Sequence, residues 1–138
     1  MGDRSRSMNK WQRASLIKLV FNLIDMEGVS FSGNHFAIST FGPGATIHNN
    51  FKDKFYYNNK NLKKSIQKKF SYEPKYLGTR TDLAMDRAVN GLFTQQGGDR
   101  PNVKNILFIF TDGKPFIARN DEKPLIPFWK SGLALEVM

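Results

Sequence analysis

Asp3, Ser5 and Ser7 stand at every second position in the run Asp3-Arg4-Ser5-Arg6-Ser7. Side chains two apart in an extended loop can converge on one side, which would gather one carboxylate and two hydroxyls. These are hard oxygen donors, suited to Mg²⁺, Mn²⁺ or Ca²⁺ rather than to a soft metal. Taken alone, the triplet is better read as the Ser/Asp-rich approach to a helix, where such side chains cap free N–H groups. A second carboxylate, Asp112, follows the apolar run Asn105-Ile106-Leu107-Phe108-Ile109-Phe110-Thr111. In open parallel sheets ligands bind beyond the carboxyl ends of strands, although Asp-Gly after a strand is also an ordinary turn.

Other chemistry-bearing residues are sparse. His35 and His48 lie in strand-like segments and form no spaced ligand pair. Asp82 and Asp86, four apart, could imitate paired carboxylates, but Arg87 beside them favours a surface role. The chain has no Gly-x-Ser-x-Gly elbow and no phosphate loop of the Gly-x-x-x-x-Gly-Lys type. With no cysteine, a disulfide scaffold and a Cys-ligated zinc site are excluded.

The elements that must position Asp3 and Asp112 read as alternating helix and strand. Apolar residues from Trp11 recur with a helical period to about Asp25, and Gly28 stands where a helix stop belongs. Residues 35–41 alternate as a strand, Gly42-Pro43-Gly44 is a turn, and residues 45–51 read as a second strand. Residues 58–70 form an amphipathic helix, and residues 81–93 a further helix with Thr81 as its expected N-cap. The uninterrupted apolar run at 105–111 suggests a strand buried on both faces. Residues 133–138 could be another strand, and Trp11 and Trp129 are expected on the core. This alternation implies an α/β fold.

A chain of 138 residues, 40% of them hydrophobic, is one small domain and too apolar to be disordered. No apolar run approaches the roughly 18 residues of a membrane helix, and the first five residues contain no apolar core of a secretory signal. The 21 basic against 12 acidic residues give a net charge of +9. The densest basic stretch, Lys60, Lys63, Lys64, Lys68 and Lys69, is interleaved with Leu62, Ile66 and Phe70, so it reads first as the solvated face of a helix. A polyanion patch is the second reading. Its partners would be nucleic acid, sulfated glycans or acidic lipid, and the absence of any nucleic-acid motif weighs against the first.

Three features in this order change the weighing: Asp-x-Ser-x-Ser near the start, Gly78-Thr79-Arg80-Thr81 before a helix, and a strand-like run ending in Thr111-Asp112-Gly113. Together they resemble the von Willebrand factor type A domain, the I domain of integrins and matrix proteins. Phe36-Ala37-Ile38-Ser39-Thr40-Phe41 and Arg100-Pro101-Asn102-Val103-Lys104-Asn105-Ile106-Leu107 look most like the matrilin and matrix-collagen branch. The resemblance spans residues 3–114, with a divergent tail at 115–138, in a single domain 1–138. It implies a doubly wound, Rossmann-like, mostly parallel sheet flanked by helices.

The resemblance further implies a metal-ion-dependent adhesion site. Carried over by motif, its ligands are Asp3, Ser5 and Ser7 from the first loop, Thr79 from the second and Asp112 from the third, with Mg²⁺ (or Mn²⁺ or Ca²⁺) as cofactor. One coordination position would stay open for an Asp or Glu of an extracellular-matrix or cell-surface partner, in an extracellular, non-enzymatic binding module. No general base or nucleophile beside the ion argues for an enzyme. The alternative is a basic polyanion-binding module, for glycosaminoglycan or nucleic acid, without a working metal site, carried by Lys60, Lys63, Lys64 and Lys68. Arg6 stands where the family often has Gly and is expected to point to solvent. In the family an apolar strand directly precedes the first loop, whereas only Met1-Gly2 precede Asp3 here. The expectation is therefore an incomplete domain lacking the central first strand and the last strand and helix.

Overall fold

Helix and strand alternate as β1 (Gly2–Asp3), α1 (Lys10–Glu27), β2 (Ile38–Phe41), β3 (Ala45–Asn49), α2 (Asn59–Phe70) and α3 (Thr81–Arg87). This computed structural model describes residues 1–71 and 77–112. The sheet is mixed. β1 runs parallel to β2, with Gly2 opposite Thr40 and Asp3 opposite Phe41, and β2 pairs antiparallel with β3. On its other side Gly2 makes a parallel bridge to Phe110. The last residues of a central strand are therefore present: β1 lies between β2 and residue 110.

The layers follow from the two-residue period of a strand. Ile38 faces one core with Leu16, Ile17 and Ile24 of α1 and Leu62, Ile66 and Phe70 of α2. Phe41 faces the other with Ala84 and Met85 of α3, Ala88, Leu107 and Ile109. Helices thus cover both faces of the sheet, as the doubly wound reading requires. α2 forms as its pattern dictates, with Asn58 capping Asn61 N–H at 3.1 Å and Leu62, Ile66 and Phe70 buried on one stripe. α3 passes into a π-turn at Ala88–Leu92, where Phe93 N–H donates to Ala88 O. The wider turn keeps both Ala88 and Leu92 buried.

Several expectations change. Trp11 lies 77% exposed on the first turns of α1 instead of in the core. Thr81 is the first residue of α3 rather than its cap; the cap position falls on Arg80. Asp82 is buried rather than on the surface. The strand expected at 105–111 pairs, among the described residues, only at Phe110. It is also buried on one side alone: Leu107 and Ile109 are buried, whereas Ile106 is 47% exposed. Met1 N–H donates to Phe108 O at 2.6 Å, and no strand of the described residues pairs with the segment ahead of that point. Trp129 and the strand expected at 133–138 lie outside the described residues.

The buried amino terminus makes stability depend on pH. Burial lowers the Met1 α-amino group from 8.0 to about 5. His48 falls from 6.5 to about 4, first through burial and then through the charges of Lys69 and Arg4. Unfolding lets both bases protonate, so across this range the unfolded chain binds more protons and stability rises with pH. Stability is therefore fullest above pH 8 and is lost progressively as the pH falls towards 4. Urea midpoints at several pH values check this, and a flat or inverted profile contradicts it. Acetylating Met1 removes the upper part of the slope.

Candidate metal centre

Asp3, the last residue of β1, is buried, with 1% of its surface exposed. Its Oδ1 accepts from Ser5 N–H at 2.6 Å, which folds the first loop back over the strand end. Its Oδ2 accepts from Thr111 Oγ1 at 2.6 Å, a contact across 108 residues that ties the first loop to the third. Ser5 Oγ lies 2.8 Å from Ser7 Oγ, and Ser7 Oγ donates to Asp112 Oδ1 at 3.1 Å. Asp3, Ser5, Ser7 and Asp112 thus belong to one hydrogen-bonded constellation drawn from two loops. Asp3 and Ser5 are its buried floor, and Ser7 and Asp112 are exposed to solvent.

Capping does not account for these residues. Asn9 caps α1, accepting from Gln12 N–H at 2.9 Å while Gln12 Oε1 accepts from Asn9 N–H at 2.8 Å. The Asp3-Ser5-Ser7 side chains are consequently left to one another and to residues 111 and 112.

The second loop approaches through Gly42 and Gly78. Arg80 N–H donates to Gly42 O at 2.7 Å. A Cβ on Gly42 would stand 3.3 Å from Arg4 O and 3.7 Å from Gly78 O, so Gly42 lies between the first and second loops. Gly78 has φ +128°, and a Cβ there would come within 3.0 Å of Pro43, a place only glycine fills comfortably. Thr79, next in the chain, is buried. The described contacts join Thr79 to none of the four other candidates directly. Neighbouring Thr81 has a buried Oγ1 with no hydrogen-bond partner among the described residues.

Behind this loop Arg80, fully buried, grips Asp82 through two bonds, Nε to Oδ1 at 2.9 Å and Nη2 to Oδ2 at 2.8 Å. Sequence reading had missed both this pair and Thr111. Thr111 stood beside Asp112 in the motif and could have been found there. The Arg-x-Asp spacing gives no sign of burial. Arg6 is exposed, as expected.

Two carboxylates and three hydroxyls fit a hard, oxygen-preferring cation. Among the described residues no group of three His, Cys, Asp or Glu side chains is present, so a bound ion here would be held by few charges and would retain electrophilic character.

The lysine candidates divide. Lys63 Nζ sits 2.6 Å from both oxygens of Asp25 and 5.2 Å from the centroid of Phe21. The bond to Lys63, helped by one from Asn59, lowers the pKa of Asp25. Lys60, Lys64 and Lys68 are exposed and four residues apart on α2.

An α/β domain with helices on both faces of its sheet, carrying an oxygen-rich constellation where two loops meet beside the central strand, defines the class. The family model of the von Willebrand factor type A domain matches residues 2–126, and the chain belongs to that family. It is 26% identical over 116 residues to Matrilin-3 of Gallus gallus and to Matrilin-2 of Mus musculus, 82% of this chain in each case. It spans 25% and 12% of the lengths of those two proteins. Among solved structures it resembles proximal thread matrix protein 1 of the mussel byssus, with TM-score 0.72 and 21% identity over 86% of this chain and 31% of that one. A second structure of that protein, with a zinc-occupied MIDAS motif, matches with TM-score 0.70 and 20% identity over the same shares. These two likenesses support the fold. No helix among the described residues is long and apolar enough to cross a membrane.

Proposed function

We propose that the chain is a metal-ion-dependent adhesion module that binds a carboxylate of an extracellular-matrix or cell-surface protein through a divalent cation. The observation that carries this reading is the constellation of Asp3, Ser5, Ser7 and Asp112, held together by bonds of 2.6–3.1 Å although capping does not require it. Ser5, Ser7 and Asp112 would face the ion, and Thr79 would join them from the second loop. Asp3, with both oxygens already accepting hydrogen bonds, would act mainly through water and by fixing the first loop. The ion would supply Lewis acidity towards an incoming Asp or Glu, and Mg²⁺ suits this because it is held by one or two protein carboxylates and keeps several waters, so a coordination position is left for the partner. Matrilin relatives and the zinc-occupied MIDAS of the mussel protein support an extracellular setting and a divalent ion.

The test is capture of this chain on immobilised matrix proteins. Binding that EDTA abolishes and Mg²⁺ or Mn²⁺ restores, and that Asp112→Ala lacks, is the expected result. Binding indifferent to EDTA overturns the reading.

One observation favours a second reading, polyanion binding. Lys60, Lys64 and Lys68 form an exposed stripe on α2, apart from Lys63, which is engaged with Asp25. Reversing all three to Glu is expected to lower heparin affinity and to reduce the slope of log K against log salt by about 2–3. Lys63→Glu alone should act mainly on the α1–α2 contact. A heparin affinity unchanged by the triple reversal removes this reading.

A further inference from the structure

α1 is apolar on two sides. Leu16, Ile17 and Ile24 are buried in the core that α1 shares with α2. Trp11, Leu19 and Met26 stand on the opposite side; spaced eight and seven residues apart, they come round about every second turn. Trp11 is 77% and Met26 79% exposed, and Leu19 is exposed between them. At 1.5 Å per residue the row is about 22 Å long. It points away from the sheet, so neither a further strand nor a helix on the other face would cover it. Three large apolar side chains in one row exceed the scattered exposure of an ordinary surface, and patches of this kind mark interaction sites.

The charge of the same layer is one-sided. α1 holds three basic residues and α2 five, against two acidic ones, Asp25 and Glu27. Asp25 is already tied to Lys63 at 2.6 Å. Lys18 adjoins Leu19 on the exposed side of α1, and Lys60, Lys64 and Lys68 are exposed on α2, away from its buried Leu62, Ile66 and Phe70. The two helices lie against each other through Lys63, Asp25 and Phe21 and pack on one core, so their outer faces look the same way. An apolar row and a basic row therefore run side by side.

Shape and charge together select the occupant. A row of side chains standing out from a helix is convex, whereas a partner helix seats its apolar face in a groove. A second copy would bring the same excess of cations against this face. A sulfated glycan would engage the lysines and leave Trp11 and Met26 in water. A lipid interface takes protruding apolar side chains into its boundary and meets the lysines with anionic headgroups.

We propose that the shared outer face of α1 and α2 docks on a membrane surface bearing anionic lipid. Trp11, Leu19 and Met26 enter the boundary between headgroups and acyl chains, and Lys18, Lys60, Lys64 and Lys68 lie against the headgroups. Trp11 suits that depth, because its ring is apolar while its indole N–H can stay with the polar layer. The proposal rests on neither the metal reading nor the glycan reading and uses none of the candidate metal ligands.

The experiment sediments the full chain with vesicles of phosphatidylcholine, alone or with roughly one-third phosphatidylserine. EDTA is present throughout, so that no ion can bridge the serine carboxylate to the candidate metal centre. Affinity for the mixed vesicles is expected to exceed that for the neutral ones by about tenfold or more and to fall as salt rises. Brominated acyl chains should quench tryptophan fluorescence on binding, and Trp11→Phe should remove most of that quench. Trp11→Ser combined with Met26→Ser should weaken vesicle binding by about tenfold or more and leave heparin affinity unchanged. Both positions are exposed; should the pair melt early, Leu19→Asn replaces it, with a loss of about threefold. Equal binding to both kinds of vesicle, a quench that survives Trp11→Phe, or an equal loss of heparin binding in the apolar variants overturns the proposal. So does vesicle binding that the apolar variants leave unmoved, the result a purely electrostatic contact would give.

Discussion

Millimolar Mg²⁺ or Mn²⁺ is expected to raise the thermal midpoint of this chain above its value in EDTA, and Ser7→Ala and Asp112→Ala are expected to abolish that rise. The expectation follows from linkage: an ion present at a hundredfold over its Kd and bound only by the folded state adds about 2.7 kcal/mol. Ser7 and Asp112 are the informative positions because both are exposed and their mutual bond is long, at 3.1 Å. Removing either should change metal-free stability by no more than about 0.5 kcal/mol, so a lost response reports the site and not the fold. Asp3→Ala behaves differently. Asp3 is buried and accepts from Ser5 N–H and Thr111 Oγ1, and its truncation leaves two donors short of a partner at about 1–3 kcal/mol each. Asp3→Ala should therefore lower the midpoint in EDTA as well as lose the response. Thr79→Ala separates the loops: a lost response with an intact fold places the second loop at the ion. A midpoint that ignores the ion in the unaltered chain would leave a von Willebrand factor type A fold without the adhesion chemistry.

What could be read from the sequence follows how local each determinant is. α2 was legible because Leu62, Ile66 and Phe70 repeat every four residues and Asn58 precedes them. The first loop was legible because three oxygen-bearing side chains at alternate positions need only an extended backbone to meet. That the third loop joins the first was implied by the resemblance, but the bond that fastens them, Thr111 to Asp3 across 108 residues, was not, because it exists only once Phe110 pairs with Gly2. Residues 105–111 misled for the same reason. Their composition records a preference for a strand with neighbours on both sides, whereas pairing depends on whether another backbone lies there. Trp11 misled differently: it keeps the helical period of α1, yet among the described residues no element covers the side on which it falls.

Arg80→Met is expected to destabilise the fold by about 3–5 kcal/mol, the usual consequence of removing one partner of a buried ion pair. The side chain of Arg80 is 0% exposed and that of Asp82 5%, so losing either removes a two-pronged charge pair from a site closed to solvent. Asp82→Ala should cost a similar amount. Arg80→Lys keeps the charge but cannot reproduce the two-pronged contact of Nε and Nη2 with both carboxylate oxygens, and should fall between Arg80→Met and the unaltered chain. Joint replacement by Met and Leu should recover much of the loss, because two apolar side chains in the same space carry no desolvation cost. Urea unfolding of the four variants measures these differences, and a loss below about 1 kcal/mol for Arg80→Met would mean the pair is not a buried anchor. The pair matters to the site through its position. Arg80 follows Thr79 directly, and its N–H donates to Gly42 O beside the first loop. A guanidinium clamped to Asp82 at the start of α3 therefore holds the second loop against the hairpin turn. Where Arg80→Lys still folds, its response to Mg²⁺ should be weaker than that of the unaltered chain, as a loosened Thr79 requires.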